Sequence, residues 1–226
     1  LMIDRRQLIL NLHHRPAFGR EDFFVSSCNE EAIAYIDLWP DWPAPLTWLC
    51  GAPGSGKSHL AAVWQEKSGA CHIKQSTVGE NIKKVSPDFC IFTLDLSEGI
   101  ENEILLLNFY NVVAEYRGSI LVTAFSPPAR SKFSLPDLGS RLKSSPVINL
   151  KRADDGLLEA VLIKLFTDRQ LKVQAEVIPY LVRRMDRSIA AAQEIVSLID
   201  DVALAEKKMI TVPLVRSIIK NSDFGT

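Results

Sequence analysis

Apolar residues are laid along this chain in two rhythms, and the change falls at about Arg152. Ahead of it they come as short continuous runs at 46–50, near 70–74, at 89–95, 119–124 and 147–150, separated by polar or helix-compatible stretches. Runs of that length read as strands buried on both faces. With helices over about 57–67 and 101–116 between them, they predict an α/β fold, a mostly parallel sheet of five strands covered by helices. Upstream, residues 23–38 predict a short turn and a helix capped by Ser27 or Asn29. The proline-dense string Trp39-Pro40-Asp41-Trp42-Pro43-Ala44-Pro45 then has to be extended or turned.

Beyond Arg152 the rhythm is helical. Leu157, Leu158, Val161, Leu162, Leu165 and Phe166 form one stripe, with Asp154 or Asp155 as its N-cap. Helices follow at about 175–185, 188–206 and 212–220, the middle one carrying Ile189, Ala192, Ile195, Ile199 and Val202 on one face. The chain therefore divides into an N-terminal arm, 1–15, an α/β core, 16–152, and a small all-helical module, 153–226. The string His13-His14-Arg15-Pro16 separates arm from core.

The strongest chemical signal lies where the first strand run ends. Residues 51–58 read G-A-P-G-S-G-K-S, a complete phosphate-binding loop of the form G-x-x-x-x-G-K-[ST] between a strand and a helix. Glycines let backbone N–H groups approach an anion, and the helix N-terminus faces it. Gly51, Ala52, Pro53, Gly54, Ser55, Gly56, Lys57, Ser58 and the following His59 are the nucleotide-binding candidates. Lys57 is suited to the β- and γ-phosphates, and the Ser58 hydroxyl to Mg²⁺. The bland alternative is a glycine-rich strand–helix turn, which leaves the lysine and serine without a role. ADP or ATP with Mg²⁺ is the expected ligand.

Composition changes this picture little. With 226 residues, 47% hydrophobic and 23% charged, the chain is an ordinary globular protein, and a formal net charge of −1 supplies no global attraction to nucleic acid or anionic membrane. Cys28, Cys50, Cys71 and Cys90 show no metal-binding spacing and read as reduced cysteines of a cytoplasmic protein. No run approaches a membrane span and no signal peptide is legible.

Several strings narrow the reading. Phosphate loop, α/β core and helical lid in that order are the layout of the AAA+ ATPases. The stretch Phe23-Phe24-Val25-Ser26-Ser27-Cys28-Asn29-Glu30-Glu31-Ala32 resembles the segment that walls the adenine site of the bacterial replication initiator DnaA. Leu135-Pro136-Asp137-Leu138-Gly139-Ser140-Arg141-Leu142 resembles a string of the DnaA-like regulators called Hda, and Gln7-Leu8-Ile9-Leu10-Asn11-Leu12 resembles the peptide by which they bind the sliding clamp. The chain thus looks like a member of the Hda family, a DnaA AAA+ module without the DNA-binding domain. The resemblance implies that Phe24, Val25 and Asn29 line the nucleotide site. It implies that Asp95, ending the Walker B strand, joins Ser58 around Mg²⁺. Gln7, Leu8, Leu10 and Leu12 would engage the β sliding clamp of DNA polymerase III, in an extended anchor-in-groove mode. Arg141 would be an arginine finger acting in trans on nucleotide bound to DnaA. The bland alternatives are an edge strand at 7–12 and a surface cation at 141.

The departures from that pattern matter as much. Where many AAA+ ATPases place a second acid after the Walker B aspartate stands Leu96, and where DnaA relatives carry an aspartate before R-P-P stands Phe125, leaving Thr123 as the nearest polar residue. The lid's usual sensor arginine aligns with Ala190, and Arg187, about one turn away, is the nearest substitute. The expected protein holds a nucleotide, hydrolyses it weakly or not at all, and activates a partner. By resemblance it is a negative regulator of DNA replication initiation that stimulates hydrolysis of DnaA-bound ATP, touching DNA only through the clamp. Homo-oligomerisation is left open. The competing classes are an autonomous AAA+ ATPase that remodels DNA or loads a helicase, and a small-molecule kinase. The first needs a hydrolysing site and a DNA-binding surface; the second gives the helical module and Arg141 no task.

Overall fold

The computed structural model describes residues 24–206 and 209–221. The arm at 1–15, with Gln7, Leu8, Leu10 and Leu12, lies outside the described residues. Two compact units are present, one formed by Cys28–Arg152 and the other by residues 24–27 with those from Ala153 onward.

The first unit is built on five strands, β1 (Leu46–Gly51), β2 (Cys71–Ile73), β3 (Ile91–Asp95), β4 (Ser119–Ala124) and β5 (Val147–Leu150). They lie in the order β2-β3-β4-β1-β5, and every neighbouring pair is parallel. The sheet foreseen from the apolar runs is therefore the sheet observed. Its two central strands are buried along almost their whole length, which is why they read as continuous hydrophobic runs rather than alternating ones. Because all strands run the same way, the loops after β1, β3 and β4 gather at one edge. Open α/β sheets place their ligands outside that carboxyl edge.

Helices α1 (Glu30–Asp37), α2 (Lys57–Ser68), α3 (Val78–Ile82), α4 (Glu103–Glu115) and α5 (Pro136–Ser144) belong to this unit. Asn102 caps α4, its side chain accepting from Leu105 N at 3.0 Å. The α4 residue Glu103 accepts from Ser134 N at 2.9 Å and Leu135 N at 2.7 Å, fixing the chain just ahead of α5. Leu138 and Leu142, one turn apart, seat α5 in the same apolar cluster as Phe92 and Phe109. Asn29 occupies the cap position of α1 without a side-chain capping bond. Ser27, the other candidate, donates to Asp154 Oδ2 at 3.1 Å instead. The connector after α1 folds back on α2: Trp42 stacks on Trp64 at 5.0 Å, and Trp39 meets Trp64 edge-on at 6.1 Å.

The second unit is helical, with α6 (Asp155–Asp168), α7 (Val177–Val182), α8 (Ile189–Glu206) and α9 (Val212–Asn221). Asp154, not Asp155, is the cap of α6, accepting from Leu157 N at 2.8 Å. Leu157, Leu158, Leu162 and Phe166 are buried as the stripe requires, against α7 and α8. On α8 the buried residues are Ala191, Ala192, Ile195, Val196, Ile199 and Ala203, so the inward face is turned slightly from the one the sequence suggested. Among the described residues no helix is long and apolar enough to cross a membrane.

Candidate functional site

The phosphate loop forms at the end of β1. The chain leaves Gly51, turns through Pro53 and Gly54, and enters α2 at Lys57. Gly56 is the N-cap residue at φ 97°, a left-handed conformation that only glycine adopts freely. A Cβ on Gly51 would lie 2.7 Å from Ser55 Oγ and 2.8 Å from Leu150 O, so a side chain there would clash with the loop and with β5. Gly56 has no side chain with which to cap α2, and the helix N-terminus opens on the loop, where an anion is favoured. Ser58 and His59 are exposed on the first turn of the helix.

Lys57 is buried, at 7% exposure, and its ammonium donates to Gly51 O and Ala52 O, each at 2.9 Å. Burial pulls its pKa down, against the charge of Asp95, which pushes it up. Neutral carbonyls do not balance a desolvated ammonium, and a polyphosphate would. The Cys50 thiol, buried in β1, is pushed up to about 11 by desolvation and stays protonated. Ser55 Oγ is buried with no hydrogen-bond partner among the described residues. An underbalanced cation and a glycine-built loop opening on a helix N-terminus are together what a polyphosphate requires.

Asp95 ends β3, beside Thr123 of β4 in the ladder register. Its Oδ1 accepts three hydrogen bonds, from Ser97 N at 3.0 Å, Ser97 Oγ at 2.7 Å and Thr123 Oγ1 at 2.9 Å. Oδ2 receives none from the described residues. Burial raises the pKa of this carboxyl, but the bonds from Ser97 and Thr123 and the charge of Lys57 outweigh it and hold it below the ordinary value. Asp95 is thus ionised and fixed by one oxygen. Among the described residues no group of three His, Cys, Asp or Glu side chains could hold a metal. Mg²⁺ in a phosphate loop needs no such group, since a hydroxyl, a carboxylate, phosphate oxygens and waters complete its shell. Ser58 and Asp95 fit that division.

The two apolar departures take different forms. Leu96 is 5% exposed and part of the core cluster. Phe125 is half exposed, and its ring lies over the Lys57 ammonium, 4.8 Å from centroid to Nζ. An aromatic face thus stands at the loop lysine, from the residue read in the sequence as a departure from the family's polar pattern. Thr123, the nearest polar alternative, spends its proton on Asp95. Sequence reading missed Ser97, although an aspartate two residues before a serine is a local turn signal.

Arg141 lies elsewhere on the core, on α5. Its Nε donates to Asp137 Oδ1 at 3.1 Å, and its guanidinium carbon stands 5.6 Å from the centroid of the Tyr110 ring on α4. The side chain is 41% exposed, and Nη1 and Nη2 make no hydrogen bond within the described residues. Of the residues expected around the adenine, Phe24 and Val25 are half-buried and Asn29 is buried. In the lid, Ala190 is exposed, and Arg187 pairs with Asp155, Nη2 to Oδ1 at 2.7 Å.

Comparison with known proteins bears on both units. Residues 155–219 match the family model described as the Hda lid domain. The chain is similar in fold, over most of its length, to domain III of the replication initiation protein DnaA of Thermotoga maritima. The TM-score is 0.77 at 16% identity, over 94% of this chain and 98% of that one. AMPPCP-bound DnaA from Aquifex aeolicus matches with a TM-score of 0.62 at 18% identity, over 82% of this chain and 65% of the other. A RuvB mutant of Thermotoga maritima matches with a TM-score of 0.72 at 13% identity, over 94% and 75%. At these identities the likeness is one of fold.

Proposed function

We propose that this chain, a DnaA-like AAA+ protein carrying an Hda-type lid, is a nucleotide-bound regulator of bacterial chromosome replication that acts on a partner's nucleotide rather than its own. One contrast carries the reading. The residues that would grip a nucleotide, Lys57, the open end of α2 and the fixed Asp95, are complete. The positions that would orient an attacking water, Leu96 and Phe125, are apolar. Nucleotide binding is further supported by the AMPPCP that the Aquifex DnaA holds on the same fold. Bound ADP or ATP with Mg²⁺ is then a structural ligand that stabilises one arrangement of the protein by mass action.

Arg141 supplies the other half. A guanidinium with two unengaged terminal nitrogens on the core surface suits the charge that develops on a transferred γ-phosphoryl group, an effect worth about 10³–10⁵ in rate in other nucleotidases. The partner is ATP-bound DnaA. The arm peptide, through Gln7, Leu8, Leu10 and Leu12, docks on the DNA-loaded β clamp, which confines the action to replicated DNA.

The test is hydrolysis of DnaA-bound ATP by the full chain with DNA-loaded clamp. Wild type accelerates it; Arg141→Ala binds nucleotide and clamp normally and loses at least about tenfold of the stimulation. Full stimulation by Arg141→Ala overturns the proposal, and loss of the variant's own nucleotide affinity reassigns Arg141 to its own pocket.

A further inference from the structure

An exposed arginine ordinarily samples many rotamers, and a finger that must meet a phosphoryl group at the right moment loses rate to that freedom. Here the freedom is restricted from two sides. Asp137, one turn earlier on α5, takes Nε at 3.1 Å, and the ring of Tyr110 on α4 faces the guanidinium at 5.6 Å. The Asp137 bond takes Nε and leaves Nη1 and Nη2, the pair that forms a fork on an anion, without a hydrogen bond among the described residues.

The spacing between the two helices is itself fixed. Glu103, at the head of α4, holds Ser134 N and Leu135 N at the entry to α5, while Phe109 on α4 and Leu138 and Leu142 on α5 share one buried cluster. Tyr110 and Arg141 thus ride on elements that do not shift independently, the condition for a pre-set side chain.

We propose that Tyr110, with Asp137, is a positioning residue for Arg141, presenting the guanidinium with its terminal nitrogens unengaged. The inference rests on the finger reading of Arg141. Asp137 acts chiefly as a tether, because a pair this exposed is screened by solvent. Tyr110 acts through its π face and not its hydroxyl.

The experiment is a titration of the full chain against ATP-bound DnaA in the presence of DNA-loaded clamp, separating maximal rate from half-saturating concentration. Tyr110→Leu keeps apolar bulk and removes the π face. It is expected to lower the maximal rate about two- to fivefold, the worth of an exposed cation–π contact, at unchanged half-saturation. Tyr110→Phe is expected to match wild type. Asp137→Ala lowers the maximal rate, and Asp137→Asn, which keeps an acceptor oxygen, recovers most of it. The NMR signal of the Arg141 Nε–H, identified by its loss in Arg141→Lys, should shift in Tyr110→Leu and hold its place in Tyr110→Phe.

Full maximal rate in Tyr110→Leu overturns the proposal. So does a raised half-saturating concentration at full rate, which makes Tyr110 a partner contact, or a Phe variant as defective as Leu. Arg141→Ala separates the levels: full stimulation there sinks the finger reading itself, whereas an inactive Arg141→Ala beside a fully active Tyr110→Leu sinks only the positioning role.

Discussion

Lys57 and Arg141 are two cations of one α/β unit in opposite circumstances. Lys57 is 7% exposed, spanned between two loop carbonyls and covered by a phenyl ring. Arg141 has a side chain 41% exposed and is tethered by a single nitrogen. Burial makes the lysine dependent on a counter-charge delivered to it; exposure lets the arginine be delivered to a charge elsewhere. The difference teaches that a cation held for an incoming charge and a cation free to meet one need opposite surroundings, and that helices α2 and α5 of one unit supply both.

The largest effect is expected at the buried cation. Lys57→Ala removes charge-assisted hydrogen bonds to phosphate, each worth about 1.5–3 kcal/mol, and should weaken ADP binding about a hundredfold or more. Calorimetric titration checks this, and unchanged affinity would break the comparison on its first side.

The two apolar departures predict a contrast in stability. Leu96→Glu forces a carboxylate into the core cluster and should cost at least about 2–4 kcal/mol by urea denaturation. Phe125→Asn, at a half-exposed position, should cost less than about 1 kcal/mol. A Leu96→Glu variant as stable as wild type would show that the site after Asp95 is open to the loop rather than sealed in the core.

A comparably small effect concerns Asp95. Thr123→Val keeps the shape of a side chain 7% exposed and removes one donor to the carboxylate. The cost at neutral pH should be about 1 kcal/mol, since Asp95 is partly solvated. Asp95 has a depressed pKa in the folded protein, so its stabilisation is complete above the unfolded value and lost as pH falls through the folded one. The gap between variant and wild type should therefore be full at pH 7 and close below 3.8, the ordinary carboxylate value. Denaturation midpoints from neutral to acid pH check the sign.

What the sequence disclosed and what it hid follow from the range of the interactions. The phosphate loop and the stripe of α6 are local patterns, and both stand where they were read. Helix α5 is not legible as a helix, because its buried face is only Leu138, Gly139 and Leu142 in a short and otherwise mostly polar string. The five-residue α3 is too short for a periodic signal. The bond from Thr123 to Asp95 requires the β3–β4 register, and the ring beneath Arg141 requires two helices 31 positions apart in sequence to lie side by side. Neither can be read from spacing. Leu96 and Phe125 were visible as absences of polar groups; that one fills the core and the other covers the loop lysine became visible only in three dimensions.

The indole of Trp64 stands seven positions after Lys57 on α2, about 10 Å along the helix axis. It stacks on Trp42 at an interplanar angle of 12° and takes Trp39 edge-on at 90°. Chromophores that close couple their transitions, so this cluster gives the helix that carries the loop lysine its own optical signature. A tightening of α2 around a phosphate would register in near-ultraviolet dichroism and emission without any label.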